Sequence, residues 1–356
     1  MEPRKILVVQ LRRIGDVILS SSAVAALKRK FPGAAIHFLV EPAAVQAVQG
    51  LPFIDEVIVY DAKGVFSSLS FALKIRSRGF DLVIDFMGNP RTALLTALSG
   101  AAVKAGPAHV FHRWAYSVLM PQSTTTMYAA REKIRMLAPL GVPDEETPLP
   151  VWPKTPAGKP GNVVALAPAS RKDTRRWPAA SYAELGRLLR DRYGCEIVVL
   201  WGPGERTLAE EVVKGIGGGA HLSLETKSLQ DAAEQISRCK LLVSNCAGTK
   251  HIAVALGVPT VTVHGSSDPL AWNPSSPRHL TVRLDELPCI GCMRNVCPTQ
   301  IECLRDLPAA RVLEACARLL QEVRAWPIGR RRATTGARMP RAGRRSEPCP
   351  GSTASS

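Results

Sequence analysis

The sequence predicts an α/β protein made of two doubly wound, parallel-sheet domains. Three observations lead there. Short apolar runs rich in β-branched residues alternate with segments of helical period. The runs are apolar throughout, as strands covered on both faces must be. A proline-rich stretch then divides the 356 residues into comparable halves, and a chain this long exceeds what one core usually organises.

The elements follow in order. "KILVVQL" reads as a strand, ended by "RRIGD" and followed by a helix over "VILSSSAVAALKRKF"; "AAIHFLV" is the next strand. "VQAVQGLPF" fits a helix, "DEVIVYD" a strand, "LSFALKIRSRGF" a helix, "DLVIDFM" a strand and "RTALLTALSG" a helix. In "LGVPDEETPLPVWPKTPAGKPGN" six prolines and three glycines leave little regular structure, which makes it the linker. The scheme restarts with "NVVALAP", "AASYAELGRLLRDRYG", "EIVVLWG", "ERTLAEEVVKGI", "LQDAAEQISRC", "KLLVSN", "TKHIAVALG" and "TVTVHG". The expected domains are 1–155 and 156–326, facing each other across a cleft, with a tail at 327–356.

Composition narrows the function classes. Apolar residues make up 46% and charged residues 21%, with no apolar run long enough to span a bilayer. The first apolar segment is too short for a secretory leader, so the chain is expected to stay in the cytosol. Of the net charge of +16, the tail from Pro327 supplies seven arginines against one glutamate, or +6, leaving +10 for the body. That tail is poor in apolar groups and is expected to be disordered. Its charge suits nucleic acid or an anionic membrane, or only solubilises the chain. With 5% aromatics and no recognition motif, a nucleic-acid partner is not expected.

Of the nine cysteines, Cys195, Cys239, Cys246 and Cys316 lie in apolar or helical runs as small core residues. Cys289, Cys292, Cys297 and Cys303 offer enough thiolates for a tetrahedral metal, although without the paired spacing of common zinc ribbons.

Ligands of doubly wound sheets sit beyond the carboxyl ends of strands, and three loops there carry chemistry. In "QLRRIGDVILSS", Asp16 is either a helix-start carboxylate or a base aimed into the cleft. No G-x-G-x-x-G is present. In "LAPASRKDTRRWP", Arg171, Lys172, Arg175 and Arg176 place four cations within six residues, a set suited to phosphate in a cleft or, on an open surface, simply solvated. In "SNCAGTKHIAVALG", Gly248 to His251 open a helix whose free N–H groups form an anion site. Glu205, after a Pro-Gly turn, could accept from a ribose or simply start a helix. No H-x-x-x-H, H-E-x-x-H or D-x-D cluster supplies metal ligands.

Together, "ILVVQLRRIGDVILSSSAVAALKRKFP", "PASRKDTRRWP", "WGPGER" and "SNCAGTKHIAVALGVPTVTVHGSSDPLAWNP" resemble glycosyltransferase family 9, the heptosyltransferases of the lipopolysaccharide inner core. The likeness runs from about residue 4 to 322 and takes in the cysteine-bearing segment. It implies a GT-B enzyme with two Rossmann-like domains that moves heptose from ADP-heptose to a core acceptor, inverting the anomeric centre without metal or cofactor. The family's base falls on Asp16. Its donor contacts fall on Ser170, Arg175, Glu205, Gly248 and His251, with Arg171, Lys172, Ala247 and Thr249 beside them. Arg12, Arg13, Arg91 and Arg113 are either candidates for the phosphorylated acceptor, reached at the inner face of the inner membrane, or plain surface arginines.

Two positions depart from the family pattern: Cys246 stands where an aspartate is usual, and Lys250 where an apolar residue is common. Both make the pocket more positive, which leaves open a related transferase with another nucleotide sugar.

Overall fold

The computed structural model describes residues 2–153 and 161–325. The domain boundary expected at 155 and the basic tail from 327 both lie outside the described residues.

The first half runs β1 (Lys5–Val9), α1 (Ile14–Lys30), β2 (Ala35–Val40), β3 (Glu56–Val59), α2 (Val65–Ser77), β4 (Leu82–Asp85), α3 (Pro90–Leu98), β5 (Val103–Pro107), β6 (Val118–Met120) and α4 (Ala129–Met136). The second runs β7 (Val163–Ala167), α5 (Ala179–Tyr193), β8 (Glu196–Val199), α6 (Arg206–Ile216), β9 (Ala220–Leu222), α7 (Leu229–Ser237), β10 (Leu241–Asn245), α8 (Gly248–Leu256), β11 (Thr260–Val263), α9 (Pro269–Trp272), β12 (His279–Val282), α10 (Glu302–Arg305) and α11 (Ala309–Ala325).

Each half forms one six-stranded sheet, ordered β3-β2-β1-β4-β5-β6 and β12-β11-β10-β7-β8-β9. All pairs are parallel. Counted within its own half, the second order is the first read backwards, so both sheets are wound alike. The winding reverses between β1 and β4, and between β7 and β10. Such a reversal opens a crevice at the strand ends, which selects the loops after β1, β4, β7 and β10.

Side-chain alternation divides the first half into two layers. Ile6 and Val8 face α1, packing with Val17, Val24 and Leu27. Leu7 and Val9 face the other way, onto Ile75 of α2 and Leu95 of α3. The α1 layer carries the contact with the second half. There α1 packs on α8, α7 packs on the 3-10 turn Pro42–Ala47, and Ile252 and Ala253 join the same apolar cluster as Val17 and Ile18. The Gln230 main-chain N–H donates to Gln46 Oε1 at 3.2 Å across that contact.

The helix expected over "VQAVQGLPF" is instead this 3-10 turn, closed after Ala47. Gly50 lies at φ +91° and Pro52 follows, so the chain turns where the apolar spacing suggested continuation.

Candidate active site

From the first half, the loop after β1 brings Asp16 to the third position of α1. Its Oδ2 accepts the Arg13 main-chain N–H at 3.3 Å, so the helix-start role is realised. The carboxylate is half-buried. Behind it α4 delivers a group that sequence reasoning missed, Lys133. This lysine is buried, donates to Gln10 Oε1 at 2.7 Å and lies 4.8 Å over the Phe86 ring. Burial pulls its pKa down to about 8, against the opposing pull of Asp16 and Asp85.

Asp85 ends β4, wholly buried. It accepts from Tyr116 Oη at 2.7 Å and from the main-chain N–H groups of Met87 and Gly88 at 2.8 and 3.2 Å. Burial raises its pKa despite these donors. Asp85 thereby shapes the loop after β4 from below.

Lys133 makes stability depend on pH. Its folded pKa lies below the unfolded value of 10.5. Between about pH 8 and 10.5 the unfolded chain therefore binds more protons, and stability rises with pH across that window. Lys133→Met should abolish that rise, a difference on the order of 3 kcal/mol between pH 7.5 and 10. Urea unfolding of parent and variant at several pH values measures it; parallel profiles would refute the assignment.

From the second half, the loop after β7 presents the cations. Its path is set by Asn245, buried at the end of β10. Asn245 Nδ2 donates to the Pro168 carbonyl at 2.7 Å, and its Oδ1 accepts the Trp177 N–H at 3.0 Å, so one side chain pins the loop at both ends. The Trp177 ring is itself fully buried, with Nε1 donating to the Leu307 carbonyl at 3.1 Å. Thr174 Oγ1 donates to the Arg294 carbonyl at 3.0 Å. Lys172 Nζ donates to Asn295 Oδ1, and the Ser170 hydroxyl bonds within the loop. Arg176 turns back onto the Ser170 carbonyl and Asp173, so its charge is spent inside the loop. Arg171 is exposed. Arg175 differs from both, because its Nε is buried without a hydrogen-bond partner.

The helix start at α8 lies beside this loop. Ala247 caps the helix in an extended conformation, and Gly248 and Thr249 follow. A Cβ on Gly248 would meet open space, and its φ is not in the left-handed region. The position borders free volume. Lys250 and His251 are buried. Lys250 Nζ donates to the Trp272 carbonyl, and burial lowers its pKa. Burial, then Lys250 and His264, hold His251 well below the usual histidine pKa, and its Nδ1 has no partner. The ring is therefore neutral and not a cation.

The halves meet at these residues. A Cβ on Gly15 would lie 2.9 Å from His251 Cδ2, so the absence of a side chain there lets the start of α1 close onto α8. Asp16 is the next residue. Partial burial and the positive charges of Arg175, Arg13 and Arg171 lower the pKa of Lys172, so Arg13 of the first half adds to the cations of the second.

Other expected residues have partners of their own or are exposed. Arg12 and Arg91 both approach Glu41, at 4.0 and 3.9 Å, and Arg91 lies 5.7 Å over the Tyr60 ring. Arg113 is exposed in the 3-10 turn Arg113–Ala115 and makes no ion pair among the described residues. Glu205 is exposed at the N-cap of α6 and accepts the Gly202 N–H at 3.0 Å within the preceding turn, without a side-chain bond to the helix itself. Cys289 and Cys292 are exposed, with Cys297 and Cys303 partly so. Among the described residues no three His, Cys, Asp or Glu side chains are grouped to hold a metal ion.

Residues 68–301 match the model of glycosyltransferase family 9 (heptosyltransferase). Lipopolysaccharide heptosyltransferase 1 of Pseudomonas aeruginosa is 25% identical over 318 residues, 83% of this chain and 88% of the relative. Lipopolysaccharide heptosyltransferase 3 of Escherichia coli is 24% identical over 291 residues, 75% and 85% of the two chains. The crystal structure of a family 9 glycosyltransferase from Veillonella parvula is similar at a TM-score of 0.78 and 25% identity, covering 90% of this chain and 99% of that one. The E. coli heptosyltransferase WaaC with ADP shares the fold at a TM-score of 0.72 and 21% identity, over 88% and 99%.

Proposed function

The chain belongs to glycosyltransferase family 9 (heptosyltransferase), and from that premise we propose that it moves heptose from ADP-heptose to a lipopolysaccharide inner-core acceptor, inverting the anomeric centre without a metal. The observation that carries this reading is the approach of Gly15 to His251, which brings the start of α1, one residue before Asp16, against the start of α8, with Arg13 of the same loop near enough to Lys172 to act on its charge. In the proposed reaction Asp16 takes the proton of an acceptor hydroxyl. The oxygen attacks the anomeric carbon from the face opposite the diphosphate, the bond from that carbon to the phosphate oxygen breaks, and ADP leaves. Arg175, Lys172 and the free N–H groups at the start of α8 receive the charge that develops on the leaving phosphate, the task elsewhere given to a divalent ion. Ser170, Arg171, Glu205, Ala247, Gly248 and Thr249 border the donor in this scheme, and His251 donates one neutral N–H.

Acceptor phosphates would meet Arg12, Arg13 and Arg91, with Arg113 further out. Inner-core acceptors are lipid-anchored, so the enzyme would work peripherally at the inner face of the inner membrane. No described helix is long and apolar enough to cross a membrane.

A related transferase for another nucleotide sugar is the second reading, favoured by one observation. Lys250 is fully buried; Cys246 and Arg175 act on its charge, it acts in turn on His251, His264 and His279, and among the described residues no carboxylate joins this set. A thermal-shift panel of ADP-heptose against UDP- and GDP-linked sugars separates the two. The expected result is stabilisation by ADP-heptose and by ADP alone; a larger shift with a UDP or GDP sugar would replace the donor.

A further inference from the structure

We propose that the outer layer of the first half, made of α2, α3 and the turn after β5, is the surface on which this protein docks to an anionic membrane leaflet. The inference rests on the reading of a lipid-anchored acceptor and assigns a face to it.

Large apolar side chains that the fold leaves in water are concentrated there. Phe66 is 90% exposed, Phe111 91% and Trp114 65%, with Leu69, Leu73 and Leu94 also exposed. On α2, positions 66, 69 and 73 recur at helical spacing and form one stripe, while Ala72 and Ile75 hold the opposite stripe against the sheet. Next to α2 lies α3, which carries Leu94, and next to α3 lies the turn Arg113–Ala115 with Trp114. Five of the six side chains thus belong to three adjacent elements, and Phe111 precedes the last of them by two residues. Monomeric proteins rarely leave so many large apolar groups together unless they meet a partner. This layer covers the sheet face opposite α1, so the contact between the halves does not cover it.

Charge decides between occupants. Residues 61–120 carry seven Lys and Arg against three Asp, one of which, Asp85, is wholly buried. Lys63, Lys74 and Arg76 are exposed beside the α2 stripe, and Arg113 is exposed between Phe111 and Trp114. Two copies of the chain meeting through this face would bring like charges together. A bilayer rich in anionic headgroups instead attracts the basic rim while its acyl boundary takes up the Phe and Leu stripe, and Trp suits the interface between them. Arg91, at the start of α3, lies between this layer and the loop after β1, so docking here would bring a membrane-held acceptor toward Asp16.

The test is flotation of the full chain with vesicles of phosphatidylglycerol and phosphatidylethanolamine that contain no glycolipid acceptor. The parent should float, and floating should fall at least tenfold in the triple variant Phe66→Ser, Phe111→Ser, Trp114→Ser, in 0.5 M salt, or with phosphatidylcholine vesicles. The replaced side chains are exposed, and an unchanged melting curve confirms that the variant folds. Equal floating of parent and variant, as binding through the tail alone would give, overturns the proposal. So does a dimer in the parent that becomes monomeric in the variant without a change in floating. Transfer to a delipidated, soluble acceptor is measured alongside and should be unchanged in the variant. Absence of transfer in a parent that floats would defeat the functional reading and leave the surface standing.

Discussion

Asp16→Ala should lower the turnover number about 10²- to 10⁴-fold, the usual share of a positioned general base, while leaving ADP affinity within about twofold of the parent because the contacts proposed for the nucleotide lie on the other half. The substitution has a second effect, since Asp16 also accepts the Arg13 N–H at the start of α1. Loss of that cap costs roughly 1 kcal/mol of stability. Asp16→Asn separates the two roles. The amide oxygen still accepts the N–H, so stability is restored, but an amide does not take a proton from a hydroxyl and turnover stays low. Initial rates of sugar transfer, calorimetric ADP binding and thermal melts distinguish these outcomes. Transfer by Asp16→Ala at the parental rate would remove the base from the scheme.

Arg175→Ala should weaken ADP binding by about 10- to 100-fold, equivalent to the roughly 1.5–3 kcal/mol of one charge-assisted hydrogen bond. Turnover should also fall, because the leaving diphosphate loses a cation that acts most strongly as the bond breaks. Arg176, beside it, is the internal control. It is bound to the Ser170 carbonyl and to Asp173, so Arg176→Ala is expected to loosen the loop without removing a ligand contact. Arg175→Lys should recover the charge but not the planar fork, restoring binding in part. An ADP affinity unchanged in Arg175→Ala would place the diphosphate elsewhere.

Much of this site was legible because winding and chemistry coincide. Once β1 and β7 are read as first strands of doubly wound halves, the loops that carry Asp16 and Arg175 must lie at the crevices, whatever the details of packing. What escaped was long-range. Lys133 sits in an amphipathic segment with the spacing of an ordinary surface helix, and only the fold of α4 onto the end of β1 brings its ammonium to Gln10. Asp85 reads as the tail of a strand, and its partner Tyr116 is 31 residues away. Asn245 gives no local signal either, because its two partners lie across the sheet at Pro168 and Trp177. The "VQAVQGLPF" segment failed for the opposite reason: its spacing was helical, but Gly50 and Pro52 decided its backbone. Gly15 was legible as a residue and not as a reason, since the need for it comes from a histidine 236 positions later.

The double anchor by Asn245 has a consequence for how this enzyme could change. Because the main chain from Pro168 to Trp177 takes its course from a neighbouring strand, the exposed side chain at 171 is free to be rewritten without unfolding the segment, whereas Lys172 is tied to Asn295 and Arg175 has its Nε buried. If this loop holds the donor as proposed, choice of activated sugar and integrity of the scaffold are partly separable traits, and a lineage could adjust the carrier nucleotide through replacement at 171 at constant thermal tolerance.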